Sequence, residues 1–243
     1  MMNHKLNEST IGSAKVIVDI LPKGKVIPNT TINPTSITIH QTGNIGAAAK
    51  NNHNYMKNCN KNGDRIASWH FTVDDKEIYQ AQSCNYKTYH AGTAAGNNSS
   101  IGIEICMFND KERQKKAYDN AIALVKVLLR YYGWTIDKVK RHKDWSGKHC
   151  PAWLIDNKFG YDWNWFKKAI TSNEPIKNDN DSFVVKVAVD SLNVRKGPGT
   201  SHAVVTKIKK GEAYTIVEVN GSWGLLKSKV GWINISANYV KRV

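Results

Sequence analysis

The stretch RHKDWSGKHCP, Arg141 to Pro151, holds two histidines, a cysteine, an aspartate and three basic residues in eleven positions. Far upstream, the run SITIH ends on His40, and IGIEI carries Glu104. His40, His142 and Cys150 together offer three N/S donors, the protein's share of a catalytic zinc site that keeps a fourth position open. A carboxylate beside such a site, here Glu104, serves as general base for an attacking water. The same residues have plainer readings. A histidine at a strand end is satisfied by a neighbour, a cysteine before proline is buried as a small hydrophobe, and a glutamate pairs with a lysine. Spacing alone leaves a metal site and a solvated charged loop both open.

Local elements have to bring these residues together. SITIH reads as a short strand with Ile37 and Ile39 on one face and Thr38 and His40 on the other. IGIEI (101–105) reads as a second, with three isoleucines on one face and Gly102 and Glu104 on the other. If the two strands are neighbours, His40 and Glu104 share a cleft. Residues 46–58 suggest a weak helix, and 68–81 a hairpin with Asp74-Asp75 at its turn. The clearest helix follows. Asn109 with Glu112 has capping-box spacing, Tyr118, Ala121, Ile122, Val125, Leu128, Leu129 and Tyr132 form an apolar stripe, and Gly133 ends it. This helix is expected on the isoleucine face. Asp162 caps a last helix carrying Trp163, Phe166 and Ile170.

The polar run SNEPIKNDNDS, residues 172–182, reads as a linker between an α/β domain (1–171) and a small all-β domain (183–243). In the latter, VVKVAV, AVVTKI, AYTIVEV, WGLLKS and GWINI alternate between turn signals. The net charge of +15 divides as +10 before the linker, −2 within it and +7 after it. Such a surface favours a polyanion: nucleic acid, anionic lipid or an anionic cell-wall polymer. Four cysteines without a CxxC pair do not make a disulfide framework and are expected as free thiols. No segment is apolar enough to span a bilayer, so no membrane insertion is expected, and MMNHKLNESTIGS lacks the pattern of a secretory signal.

TIHQTG, SWHFTVDD, HAGTAAGNNSSIGIEI and RHKDWSGKHCP, in this order and spacing, resemble the type 2 N-acetylmuramoyl-L-alanine amidases, which include phage endolysins, bacterial autolysins and peptidoglycan recognition proteins. The resemblance covers about residues 15 to 168. It implies a central mixed sheet flanked by helices, with one Zn2+ in a groove held by His40, His142 and Cys150. It assigns Glu104 as the base toward the attacking water and Lys148 as the cation at the oxyanion of the tetrahedral intermediate. Where several members have an active-site tyrosine this chain has Trp69, whose indole donates only its N–H, so Trp69 is expected to stack on substrate or wall the groove. Trp69 and His70 alternate, so only one faces the groove directly. His70 and His90 are further candidates for contact with the substrate. His149 is expected to point away from the metal site, and His53 and His4 to be solvated. Asp144 is expected to bond either a ligand histidine or a nearby lysine.

SLNVRKGPGTSHAVV, then SWGLLKSKVGWI and YVKRV, resemble the bacterial SH3-like family, which tethers enzymes to the cell wall. Trp223 and Tyr239 are the candidate wall-binding residues, while Trp232 is expected in the core. The resemblances imply a hydrolase of Gram-positive peptidoglycan, with anionic wall polymers as further partners. Nothing resembles a nucleic-acid-binding fold, and no nucleic acid is expected. The missing signal fits a phage or prophage lysin that waits in the cytoplasm for release to the wall. The alternative is a recognition protein that binds peptidoglycan without cutting it. Such relatives usually lack the cysteine ligand, and Cys150 and Glu104 argue against that reading.

Overall fold

A seven-stranded mixed sheet carries the first of the two units into which the chain divides, Met1–Ser172 and Asn173–Val243. The computed structural model describes residues 5–172, 183–220 and 222–243. His4 and residues 173–182 of the expected linker lie outside them.

The elements of the first unit are β1 (Thr10–Ile11), β2 (Ala14–Val18), β3 (Ser36–Ile45), α1 (Ala49–Asn62), β4 (Phe71–Val73), β5 (Glu77–Gln80), α2 (Ala94–Ser99), β6 (Ser100–Met107), α3 (Lys111–Tyr132), β7 (Val139–Arg141), α4 (Lys143–Ser146), α5 (Ala152–Ile155) and α6 (Trp163–Thr171). The strand order is β1-β2-β5-β4-β6-β3-β7. β3 lies parallel to β6 and β7, and β4 is parallel to β6, while β4 and β5 form the expected hairpin.

Register fixes what each face presents. Thr72 stands beside Glu104, and Glu104 beside His40, in one row across three strands. Phe71, Ile103 and Ile39 form the next row, all three fully buried. Gln41 shares the parity of Ile37 and Ile39, and its Nε2 donates to the Tyr118 hydroxyl of α3 at 3.0 Å. The long helix therefore covers the isoleucine face, and the polar row is left for the groove.

Two helix starts differ from expectation. α3 is capped by Asp110, which accepts from the Arg113 N–H at 2.8 Å, not by Asn109. The carboxylate is the better acceptor and adds a negative charge at the positive end of the helix. α1 begins three residues later than expected and runs to Gly63, which takes the left-handed conformation with φ 81°. Its first N–H is satisfied from afar, as Ala49 donates to Asp74 Oδ2 at 2.7 Å. Asp74 Oδ1 also accepts from the Lys76 and Glu77 N–H groups, so one carboxylate holds the hairpin turn and the helix start.

The second unit contains β8 (Phe183–Val187), β9 (Ser191–Arg195), β10 (Val204–Lys209), β11 (Ala213–Asn220), β12 (Trp223–Leu226), β13 (Trp232–Asn234) and β14 (Val240–Arg242). All pairings are antiparallel, in the order β10-β9-β13-β12-β11-β8-β14. β9 and β14 were not among the five runs read as strands. Val185, Val187, Leu192, Val194, Ile208, Ile216, Leu226, Ile233 and Val240 form its core, as an SH3-like fold requires. Trp232 is half-buried outside that core rather than in it. Among the described residues, no helix is long and apolar enough to cross a membrane.

Candidate active site

Strand pairing delivers His40 from β3 and Glu104 from β6 to one point, and the chain leaving β7 delivers His142. The His142 N–H donates to the Ile39 carbonyl at 3.2 Å, which extends the β3–β7 pairing by one residue and brings the ring to the groove. The loop then returns Cys150. His40 Nδ1 lies 3.0 Å from His142 Nδ1 and 3.9 Å from Cys150 Sγ. One donor atom from each of the three residues falls within 4.8 Å of the other two, and all three side chains are buried. Glu104 Oε1 is 3.9 Å from His40 Nδ1. Its Oε2 is buried without a hydrogen-bond partner among the described residues.

The electrostatics follow from burial. Desolvation, helped by the charges of His90, His142 and Lys148, holds His40 well below the ordinary imidazole range. Desolvation and Lys148 lower His142 to about 4. Both rings are thus neutral, the form that binds a metal. Burial pushes the Cys150 thiol up to about 12, with Glu104 acting in the same direction, while a Gln41 N–H and Lys148 oppose it. Burial raises Glu104 to about 7 against the pull of Lys148 and Arg65. A carboxyl near neutrality is poised to exchange a proton at physiological pH. A bound dication would favour the thiolate and reverse the local balance.

His40, Glu104, His142, Lys148 and Cys150 line one cavity. Trp69 forms part of its wall. The indole packs with Met56 and Cys59, and its Nε1–H donates to Thr72 Oγ1 at 2.6 Å. Its edge is committed to the protein. The two histidines expected at the substrate are placed differently from each other. His70 is fully buried and outside the cavity lining. Its Nε2 meets the Tyr86 carbonyl at 2.9 Å, and its Nδ1 accepts from the Gly102 N–H at 3.0 Å. His90 reaches the lining, but both ring nitrogens are used inside the protein, by His40 and by the Ser100 carbonyl.

Other expectations also change. His53 is 1% exposed rather than solvated, bonded to Asp19 at 2.9 Å and stacked on Tyr79. Asp144 pairs with Arg141 at 2.6 Å, not with a ligand histidine or a lysine. His149 points to Asp156 at 2.8 Å, away from the cluster. All four cysteines are free and buried. Arg65, Tyr55 and Tyr89 line the cavity without having been singled out. Arg65 lies in the short loop GDRIA that follows α1, which carries no motif, and only its place in space gives it meaning.

Known proteins extend this geometry. Residues 30–153 match the N-acetylmuramoyl-L-alanine amidase family, and residues 190–241 match the bacterial SH3 domain. The amidase XlyA of Bacillus subtilis is 41% identical over 160 residues, which are 64% of this chain and 50% of XlyA. The chain therefore spans about half the length of that relative. The amidase CwlH of the same organism is 37% identical over 72% of this chain and 68% of its own length. The solved catalytic domain of XlyA superimposes with a TM-score of 0.57 at 40% identity, covering 65% of this chain and 99% of that domain. PlyL gives 0.57 at 31% identity, covering 66% and 98%. A further related structure is a mutant endolysin from Bacillus subtilis, at 40% identity and a TM-score of 0.57 over 65% of this chain and 99% of that one. The matched segment contains all three clustered donors and the buried carboxylate, and by sequence, fold and coverage the chain belongs to the N-acetylmuramoyl-L-alanine amidase family.

Proposed function

We propose that the chain is a zinc-dependent N-acetylmuramoyl-L-alanine amidase that hydrolyses the amide between the lactyl group of N-acetylmuramic acid and the L-alanine of the peptidoglycan stem peptide. The observation that carries this reading is the convergence of His40, His142 and Cys150 beside a buried carboxylate with an unpartnered oxygen. Two neutral imidazoles and a thiol are a donor set suited to zinc. Bound there, zinc supplies a Lewis acid that polarises the scissile carbonyl and acidifies water.

The remaining roles fall to the chain. Glu104 takes a proton from the attacking water and returns it to the departing amine, which its pKa of about 7 allows in both directions. Lys148, which lines the cavity and whose charge acts on Glu104, His142 and Cys150, holds the negative charge that develops on the carbonyl oxygen. Trp69 walls the cleft and excludes water.

The C-terminal unit retains the enzyme on its insoluble substrate, a Gram-positive wall, and its basic charge suits anionic wall polymers. Tethering raises the local concentration of substrate, so weak binding in each unit gives strong retention overall. We place the action at the cell wall, as a lysin released to it. Incubation with purified Gram-positive walls tests the reading. New N-terminal alanine without new reducing sugar is the expected outcome. Reducing ends would mean a glycosidase. Neither product, with the protein still pelleting with the walls, would mean a recognition protein.

A further inference from the structure

We propose that His90 is a positioning residue that fixes the tautomer of His40, and that its own polarity is set by a hydrogen-bond chain running from Trp145 through Thr38 to Ser100. The inference rests on the zinc reading only for its consequence. The tautomer itself is a property of the metal-free protein.

The argument follows the protons. His90 Nε2 lies 3.2 Å from the Ser100 carbonyl oxygen, which only accepts, so Nε2 carries the proton. A neutral imidazole has one N–H, so with Nε2 donating to that carbonyl the ring's Nδ1 must accept. The partner of that Nδ1 is His40 Nε2 at 2.9 Å, which therefore donates. His40 Nδ1 is left as a bare lone pair, and it is the atom that faces His142 Nδ1 at 3.0 Å and Cys150 Sγ at 3.9 Å. The tautomer that a metal needs at His40 is thus set two groups away, by a backbone carbonyl.

The opposite polarity would require Ser100 Oγ, 3.4 Å from His90 Nε2, to donate its proton to the ring. That hydroxyl is already committed. Trp145 Nε1 can only donate, and does so to Thr38 Oγ1 at 2.8 Å. Thr38 then donates to Ser100 Oγ at 2.8 Å, and Ser100 donates to the Gly96 carbonyl at 2.7 Å. Trp145 belongs to the same segment, RHKDWSGKHCP, that supplies His142 and Cys150. One loop thereby delivers two donors and, through Trp145, biases the third. The ring of His90 sits tightly on β6, since a Cβ at Gly102 would come within 2.7 Å of His90 Cγ. The rings of His40 and His90 meet edge-on, at 84° and 5.1 Å between centroids.

The test uses the full chain with 15N-labelled histidine, stripped of metal, with the His40 signals assigned from a His40→Gln sample. Long-range 15N–1H correlation should show a protonated Nε2 and an unprotonated Nδ1 at His40. His90→Phe keeps a ring and removes the acceptor. It should give mixed His40 tautomers and about 10- to 100-fold weaker zinc binding by chelator competition. His90→Gln presents an acceptor and a donor side by side and should return both readouts toward the wild type. A wild-type His40 protonated on Nδ1 overturns the proposal even if His90→Phe does not fold. So does a folded His90→Phe that binds zinc like the wild type. The expected tautomer in a protein that does not cut walls would reject the amidase reading and leave the relay standing.

Discussion

His40 and Glu104 are register partners across two parallel strands, and Nδ1 of one stands 3.9 Å from Oε1 of the other. In a parallel pair, partners present side chains to the same face, so the sheet itself sets the distance between the cluster-facing nitrogen of His40 and the proposed base. No flexible loop intervenes. A site built on strands holds the sub-ångström precision that catalysis needs.

Glu104→Gln preserves the shape and removes the base. Hydrolysis of walls should fall by about 10²- to 10⁴-fold, with zinc content by metal analysis unchanged. Cys150→Ser should instead lower both activity and zinc affinity, the latter by more than the roughly 10- to 100-fold typical of losing an outer partner. A Glu104→Gln protein with full activity would remove the carboxylate from the mechanism.

Lys148→Met keeps the aliphatic stem and deletes the charge. Loss of an oxyanion donor lowers kcat by about 10²- to 10³-fold. On a soluble muramoyl peptide, the drop should appear in kcat with KM little changed. A rise in KM alone would assign Lys148 to substrate binding.

Acid should weaken the metal-free fold through buried histidines, His70 among them. Burial lowers its pKa from 6.5 to about 4, against the Tyr86 carbonyl, which favours the charged form. Because the folded value lies below the unfolded one, the unfolded chain binds more protons between them. Stability is therefore full above pH 6.5, falls as pH drops toward about 4, and levels off below. At 1.36 kcal/mol per unit the shift corresponds to about 3 kcal/mol. His70→Gln retains an acceptor for the Gly102 N–H and a donor for the Tyr86 carbonyl without the titration. Urea unfolding across this range should show a shallower loss in the variant, and parallel curves would contradict the assignment.

Trp223 is half-buried and Tyr239 is 40% exposed on the second unit. If they meet the wall, Trp223→Ala and Tyr239→Ala should reduce the fraction of protein that pellets with walls. Turnover of a soluble substrate should stay the same. Equal losses in both assays would mean that the substitutions damage the fold.

Sequence alone determined the periodic and the local. Alternation in SITIH and IGIEI fixed two strands and their faces, the stripe from Tyr118 to Tyr132 fixed α3, and the ordered motifs named the donors His40, His142 and Cys150. The strands and the helix depend on neighbours a few residues away, so periodicity exposes them, whereas the donor set came from the resemblance of the ordered motifs to a known family. Tertiary structure decided the rest. The cap of α1 comes from Asp74, 25 residues downstream, so nothing local marked where that helix starts. His90 lines the groove as expected, but only the fold shows that its ring serves His40, 50 positions away, and Ser100. Arg65 became a cavity residue only through its neighbours in space. In each case the deciding contact joins residues far apart in the chain, and a buried polar group takes whichever partner the packed fold supplies.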